Sequence, residues 1–182
     1  DELRPVMNGI YFDLNTESLT IVASDGHKLV RNKNFTVKGD NSASFILPKK
    51  PAQILKGELG KSGGDVIVKF NERNAEITFG DFRLSCRLIE GRYSNYNSVI
   101  PKDNPNCVTI DRASFLSAMR RVIVFASASS MLVKFQIESG KITMSSQDID
   151  FSTSAEEHLD CEYNGTPMNI GFKGTSMIEI LT

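Results

Sequence analysis

Apolar and polar residues alternate with a period of two through 10–14 and again through 19–24. The polar link Asn15 to Ser18 between them predicts a β-hairpin with one face on a core. Residues 28–37 and 43–47 extend that sheet. Pro48 ends the last strand, and Pro51, tolerated in a first turn, leads into a short helix through Ala52, Ile54, Leu55 and Leu59. Ser62-Gly63-Gly64 predicts a turn, and 65–70, 74–79 and 82–88 predict three antiparallel strands joined by short connections. Further on, 107–110 is strand-like. Asp111 is placed to cap a helix over 111–128 whose Phe115, Leu116, Met119, Val122, Ile123 and Ala126 share one face. A second hairpin follows at 132–137 and 141–146, then a longer strand at 149–157 and another at 168–172. Gly174-Thr175-Ser176 opens a final helix.

The two halves repeat. At an offset of 123, Phe12 meets Phe135, Leu19 meets Ile142, Thr20 meets Thr143 and Asp25 meets Asp148. The run Phe45-Ile46-Leu47 before Lys49, with Ile54-Leu55, is echoed at a drifted offset by Ile170 before Lys173, with Ile180-Leu181. Copies this far apart are tandem domains and not solenoid units. The copies are incomplete in opposite ways. A strand and helix precede Phe135 but only eleven residues precede Phe12, and three strands follow the first copy's helix while the second copy stops at Thr182. A piece of a longer protein is therefore expected. Residues 90–106, with Gly91, Pro101 and Pro105 among Asn, Ser and Asp, are the best linker, which divides the chain into domains at 1–104 and 105–182.

Composition narrows the class. With 40% hydrophobic and 24% charged residues among 182, the chain can bury one or two cores, and no apolar run approaches the roughly 20 residues of a membrane span. Cys86, Cys107 and Cys161 are odd in number and lack a Cys-x-x-Cys pair, which fits reduced thiols in a cytosolic protein better than a disulfide framework or zinc site. Sequons at Asn34 and Asn164 keep open a different class of function, a secreted tandem β-rich binding module. The net charge of −1 argues against a surface coated in basic residues, though not against a local basic patch. His27 lies beside Asp25 and Ser24, but neighbours on one extended segment cannot converge on one atom as a hydrolytic triad must. His158, amid Glu156, Glu157 and Asp160, reads as solvated and not as a metal ligand.

One resemblance spans nearly the whole chain in register. Arg4, Met7-Asn8-Gly9, the run Val22-Ala23-Ser24-Asp25-Gly26-His27-Lys28-Leu29, Gly80-Asp81-Phe82, and Glu90-Gly91-Arg92-Tyr93 through Val99-Ile100-Pro101-Lys102 resemble the second domain of the bacterial sliding clamps, the beta subunit of DNA polymerase III. Residues 111–121, Asn164-Gly165 and Met168-Asn169-Ile170-Gly171-Phe172 match the third domain more loosely. The resemblance implies an α+β DNA clamp fold, tandem domains of antiparallel sheet packed against helices. It places the first domain here without its first strand and helix and the second without its last strands.

The resemblance also implies a function. Clamp subunits of three domains pair into a homodimeric ring around duplex DNA, without regard to sequence, and tether the replicative polymerase in the cytoplasm. No bond is made or broken, and no cofactor, metal or membrane is involved. A tight electrostatic grip would stop sliding, so scattered cations on the inner helices suffice. Here these would be Arg4, Lys49, Lys50, Lys56, Arg120, Arg121 and Lys173. Polymerase, clamp loader and repair proteins insert a short motif, with a glutamine and apolar residues, into a cleft between the second and third domains. Carried over by position, its second-domain wall is Met7, Ser24, Gly26, His27, Lys28, Leu29, Ser94, Ser98 and Val99. Met suits a surface with many partners, Leu29 and Val99 offer an apolar floor, and Gly26 lets a backbone approach. Ser94 and Ser98 stand where relatives often have proline and arginine, and Pro5-Val6 where some have paired tyrosines. Two structural expectations follow. Met7, Leu29 and Val99 should lie together at the surface, and 131–172 should share the strand order of 8–46.

Overall fold

Asn15 makes the first hairpin turn, its Oδ1 accepting from the backbone N–H groups of Glu17 and Ser18 at 2.9 and 3.0 Å. It joins β1 (Gly9–Leu14) to β2 (Leu19–Ser24). In this computed structural model, which describes residues 4–61 and 63–182, β3 (Leu29–Asn34) pairs with β2, and β4 (Ala43–Pro48) with the other side of β1. The sheet order is β3-β2-β1-β4, all antiparallel. Helix α1 (Lys49–Leu59) leaves directly from β4, with Pro51 in its first turn where a missing N–H costs nothing. Strands β5 (Ile67–Phe70), β6 (Asn74–Phe79) and β7 (Phe82–Arg87) form a second sheet. Its Ala75, Ile77 and Phe79 close a core with Leu47 and Leu55. The expected turn at 62–64 begins on Ser62, outside the described residues.

The second half opens with β8 (Val108–Thr109) and α2 (Arg112–Val122). Asp111 caps the helix, accepting from the Ser114 N–H at 2.8 Å. Strands β9 (Leu132–Glu138), β10 (Lys141–Asp148), β11 (Thr153–Asp160), β12 (Glu162–Tyr163) and β13 (Met168–Lys173) follow, then α3 (Gly174–Leu181). The sheet order β11-β10-β9-β13 repeats β3-β2-β1-β4, and in both copies a helix leaves the fourth strand. The expected α+β architecture and the shared strand order are both present.

Four segments differ from expectation. The strand read at 149–157 starts only at Thr153, because Asp148 Oδ1 accepts from the N–H groups of Asp150 and Phe151 and Ser152 adopts a φ of 51°. Ile149 and Phe151 are thereby left 79% exposed. The helix over 111–128 tightens to a single 3₁₀ turn at Ile123–Phe125 and ends at Ala126 in extended backbone. The strand over 28–37 stops at Asn34, whose Oδ1 takes the N–H groups of Thr36 and Val37. The chain forms two compact units, 1–100 and 101–182, and residues 90–100 of the stretch read as a linker belong to the first.

That last difference has a cause in the register. Pairing puts Tyr11, Val22 and Ile46 on one face of the first sheet, and Phe12, Phe45 and Leu47 on the face toward α1. The corresponding positions in the second unit are Lys134, Ser145 and Gly171, so there only one face is apolar, and it packs under Phe115, Met119 and Val122. The first sheet must be covered twice. Its far face is covered by Tyr93, whose ring stacks on Tyr11 at 4.7 Å and 3°, with Tyr96 tilted at 6.2 Å. Val22 and Ile46 beneath are 0% and 2% exposed. An aromatic pair adds roughly 0.5–1.5 kcal/mol to the area it buries.

Replacing Tyr93 by Ala should therefore cost about 3–5 kcal/mol, the usual loss for a large buried aromatic. Amide hydrogen exchange checks it. Protection should fall in β1, β2 and β4 but hold in β9 and β10, and unaltered protection in the first unit would show that 90–100 is a passive linker.

Candidate functional site

The run Ser24-Asp25-Gly26-His27-Lys28-Leu29 is a tight turn between β2 and β3. Ser24 Oγ donates to the Lys28 carbonyl at 2.9 Å and accepts from the Gly26 N–H at 3.1 Å. Asp25 Oδ1 accepts from the His27 and Lys28 N–H groups at 2.9 Å each, and Gly26 has a φ of 88°, which favours glycine. Hydrogen bonds from Lys28 and then His27 hold the Asp25 carboxyl below the usual aspartate range. Both acceptor side chains thus serve the backbone, leaving no acid–base relay with His27. The guanidinium of Arg4 sits over this turn, 3.3 Å from where a Cβ on Gly26 would stand. Arg4, expected to face DNA, is placed beside the turn.

Met7 and Leu29 join one apolar cluster, both resting against the core formed by Val22, Ile46 and Tyr93. Val99 does not. It follows a 3₁₀ turn at Tyr96–Ser98, its N–H bonded to the Tyr96 carbonyl, and is 68% exposed. Met7 and Leu29 thus share one cluster, and Val99 stands apart from it in solvent. Ser94 and Ser98 are exposed as well, Ser98 Oγ donating to the Asn95 carbonyl at 2.7 Å. The Tyr93 hydroxyl is buried near the Ser24 backbone, and burial pushes its pKa up more than the Ser24 backbone lowers it. Sequence reasoning passed over Val6, Ile89, Tyr93 and Tyr96 as members of this wall. A signal existed, since three of the chain's four tyrosines, Tyr11, Tyr93 and Tyr96, lie here, two of them in an otherwise polar stretch.

The expected cations divide into free and committed. Lys49, Lys50 and Lys56 are exposed on α1, and Lys173 is exposed at the N-cap position of α3, where its side chain makes no capping bond among the described residues. Arg121 is held within its unit by Glu157, with two contacts of 2.6 Å, and by Ser117 Oγ at 2.7 Å. The pairing raises the Arg121 pKa and lowers that of Glu157. Arg120 reaches Thr182 Oγ1 at 3.4 Å. Arg112, not anticipated, donates to the Leu181 carbonyl, so α2 satisfies the end of α3.

Other chemistry is sparse among the described residues. His158 meets Thr143 Oγ1 at 3.0 Å and Glu156 at 3.4 Å, and no three His, Cys, Asp or Glu side chains are grouped to hold a metal. The cysteines are free thiols, and no helix is long and apolar enough to cross a membrane. In the four-stranded sheet of the second unit β11 is an edge strand, paired only with β10 among the described residues. Val124, 75% exposed, lies in the 3₁₀ turn that contacts β11, and exposed Ile149 and Phe151 lie in the turn that enters it.

Comparison with known proteins places this geometry. Residues 1–95 match the family model described as DNA polymerase III beta subunit, central domain, and residues 97–182 match the C-terminal domain of the same subunit. The beta sliding clamp of Caulobacter vibrioides is 28% identical over 99% of this chain and 50% of its own length. That of Borreliella burgdorferi is 31% identical over 73% of this chain and 34% of its own length. Among solved structures, a sliding clamp from Bartonella birtlesii bound to griselimycin superposes with a TM-score of 0.90 at 30% identity, covering all of this chain and 50% of that one. The DNA polymerase III subunit beta of Pseudomonas aeruginosa, at 24% identity, shares the fold with a TM-score of 0.91 over 98% of this chain and 49% of its own. The chain spans about half the length of the curated relatives it matches. These matches favour the clamp family over a secreted β-rich module.

The Asp25 turn yields a pH prediction. A carboxyl whose folded pKa is depressed stabilises the turn above the ordinary aspartate value, about 3.9, and that contribution fades as pH falls through the lowered value. The amide resonances of His27 and Lys28 should therefore titrate with a midpoint below the ordinary one. A midpoint at or above it would remove the turn's electrostatic basis.

Proposed function

The chain belongs to the DNA polymerase III beta subunit family, the bacterial sliding clamps, and from that premise we propose that it contributes to a non-enzymatic ring that tethers the replicative polymerase to duplex DNA. In this proposal residues 1–104 act as the second clamp domain and 105–182 as the third, in a cytoplasmic protein that forms a homodimer at full length. Duplex DNA is held by topology and without sequence readout. Lys49, Lys50, Lys56, Arg120 and Lys173 offer weak, salt-sensitive attraction to phosphate, with Arg121 restrained by Glu157. The unpaired edge of β11, with Val124, Ile149 and Phe151 exposed beside it, supports a role in joining subunits, because a free edge and an apolar patch are otherwise liabilities.

The observation that carries the partner-binding part is the wall at the β2–β3 turn. Met7 and Leu29 are half-buried, adaptable apolar groups seated on a stacked aromatic base, beside a turn held by Ser24 and Asp25. We assign Met7, Ser24, Gly26, His27, Lys28 and Leu29 to this wall. Ser94, Ser98 and Val99, all exposed, are assigned to its rim. Arg4 lies over Gly26, beside the rim. Polymerase, clamp loader and repair proteins are the partners, each through a short segment with a glutamine and apolar residues.

Calorimetric titration with a peptide carrying a glutamine and a Leu-Phe end tests it. Leu29→Asp buries an unpaired carboxylate on binding and should cost about 3–5 kcal/mol of affinity. Val99→Asp lies in solvent, leaves the fold alone and should weaken binding less. Unchanged affinity in a folded Leu29→Asp variant would rule out the wall.

A further inference from the structure

The first unit holds a second concavity, a cleft of about 470 Å³ at the open edge of β4. Its backbone geometry follows from the register. Pro48, which has no N–H, pairs with Gly9, and Ile46 pairs with Tyr11 while its carbonyl accepts from Ile89 at 3.0 Å. These alternate residues of β4 are therefore the ones not bonded to β1. Ser44, opposite Asp13, has the same parity, so its N–H and C=O point away from β1 and into the cleft. Among the described residues no backbone group outside the sheet answers them. The segment that pairs at Ile89 veers off at Gly91, whose φ is 123° and which Val6 approaches too closely for any side chain.

Charge defines what would fit. Arg73 and Arg92 line the cleft and make no ion pair among the described residues. Of the two lining carboxylates, Glu90 is held by Arg87 at 2.7 Å, which leaves only Glu72 against two open guanidiniums. Tyr11 and Ile89, both partly exposed, give the same cleft an apolar floor. An open edge, two arginines and an apolar floor match an extended chain whose side chains alternate between acidic and apolar.

We propose that this cleft binds an extended acidic peptide segment, which adds to the β4 edge through Ser44 and sets a carboxylate between Arg73 and Arg92. Such strand addition draws affinity from main-chain bonds and specificity from alternate side chains. The site is separate from the Met7–Leu29 wall, although Tyr93 supports both and Ser94 borders this cleft as well.

The test is an amide-shift titration of the isotope-labelled chain with a capped hexapeptide alternating glutamate and valine. A peptide alternating lysine and valine is the control. Saturable shifts are expected at Ser44, 71–73 and 90–96 with the acidic peptide alone. Arg73→Glu combined with Arg92→Glu should weaken binding about tenfold or more, the scale of a lost charge-assisted bond. Ser44→Pro should remove the edge donor and abolish saturation, and if that variant fails to fold, the arginine pair decides. The proposal is overturned by an absence of shifts at roughly millimolar peptide. It is equally overturned by equal binding of the lysine peptide, by shifts confined to Met7 and Gly26 to Leu29, or by undiminished binding in the arginine double variant.

Discussion

The first sheet is apolar on both faces, and the need to cover the second of them shapes the rest of its unit. Tyr11, Val22 and Ile46 present a surface that water would otherwise wet, and α1 with the second sheet already occupies the opposite side. The chain answers by folding 89–99 back over the sheet, with Tyr93 stacked on Tyr11 and Tyr96 bonded toward Asp13 at 3.4 Å. Everything at the candidate wall leans on that base. Met7 and Leu29 fill its margin, Gly91 lets Val6 approach, and the same chain path leaves the β4 edge open at Ser44.

The second unit shows what the same topology does without that demand. Its strand order is identical, yet its far face carries Lys134, Gln136, Thr143 and Ser145 and remains wet. Stabilisation comes instead from one deep core under α2, where Ala118, Met119, Val122, Val133 and Met144 are all fully buried. The Arg121–Glu157 contact then ties the helix to the edge strand β11. Because both groups are largely exposed or at the surface, solvent screens the pair, and its role is better understood as fixing geometry than as supplying stability.

Much of this was legible in the chain. Period-two alternation located the hairpins, Asp111 and Pro51 marked helix starts, and the Phe12/Phe135 repeat carried the shared strand order. Side-chain turns decided the remainder. Asp148 and Asn34 each capture two backbone N–H groups, so strands that look continuous in hydrophobicity stop early. The wall was half legible. Met7 and Leu29 were assigned to it through family resemblance, whereas the cover beneath them comes from residues in a stretch rich in Gly, Ser and Asn that composition marks as linker. Val99 stands apart from that cluster because a single 3₁₀ turn sets its direction, and no periodicity encodes one turn.

Direct contact between peptide and wall is the most searching measurement. A peptide with the glutamine and Leu-Phe end, carrying a photoreactive group in place of the leucine side chain, would be irradiated with the chain and the adduct mapped by mass spectrometry. Attachment at Met7, Leu29 or the 24–28 turn is the predicted result, and it should vanish when unlabelled peptide competes. Attachment spread over the surface, or confined to the face of α1 or to the second unit, would contradict the assignment of this aromatic-backed wall as the partner site.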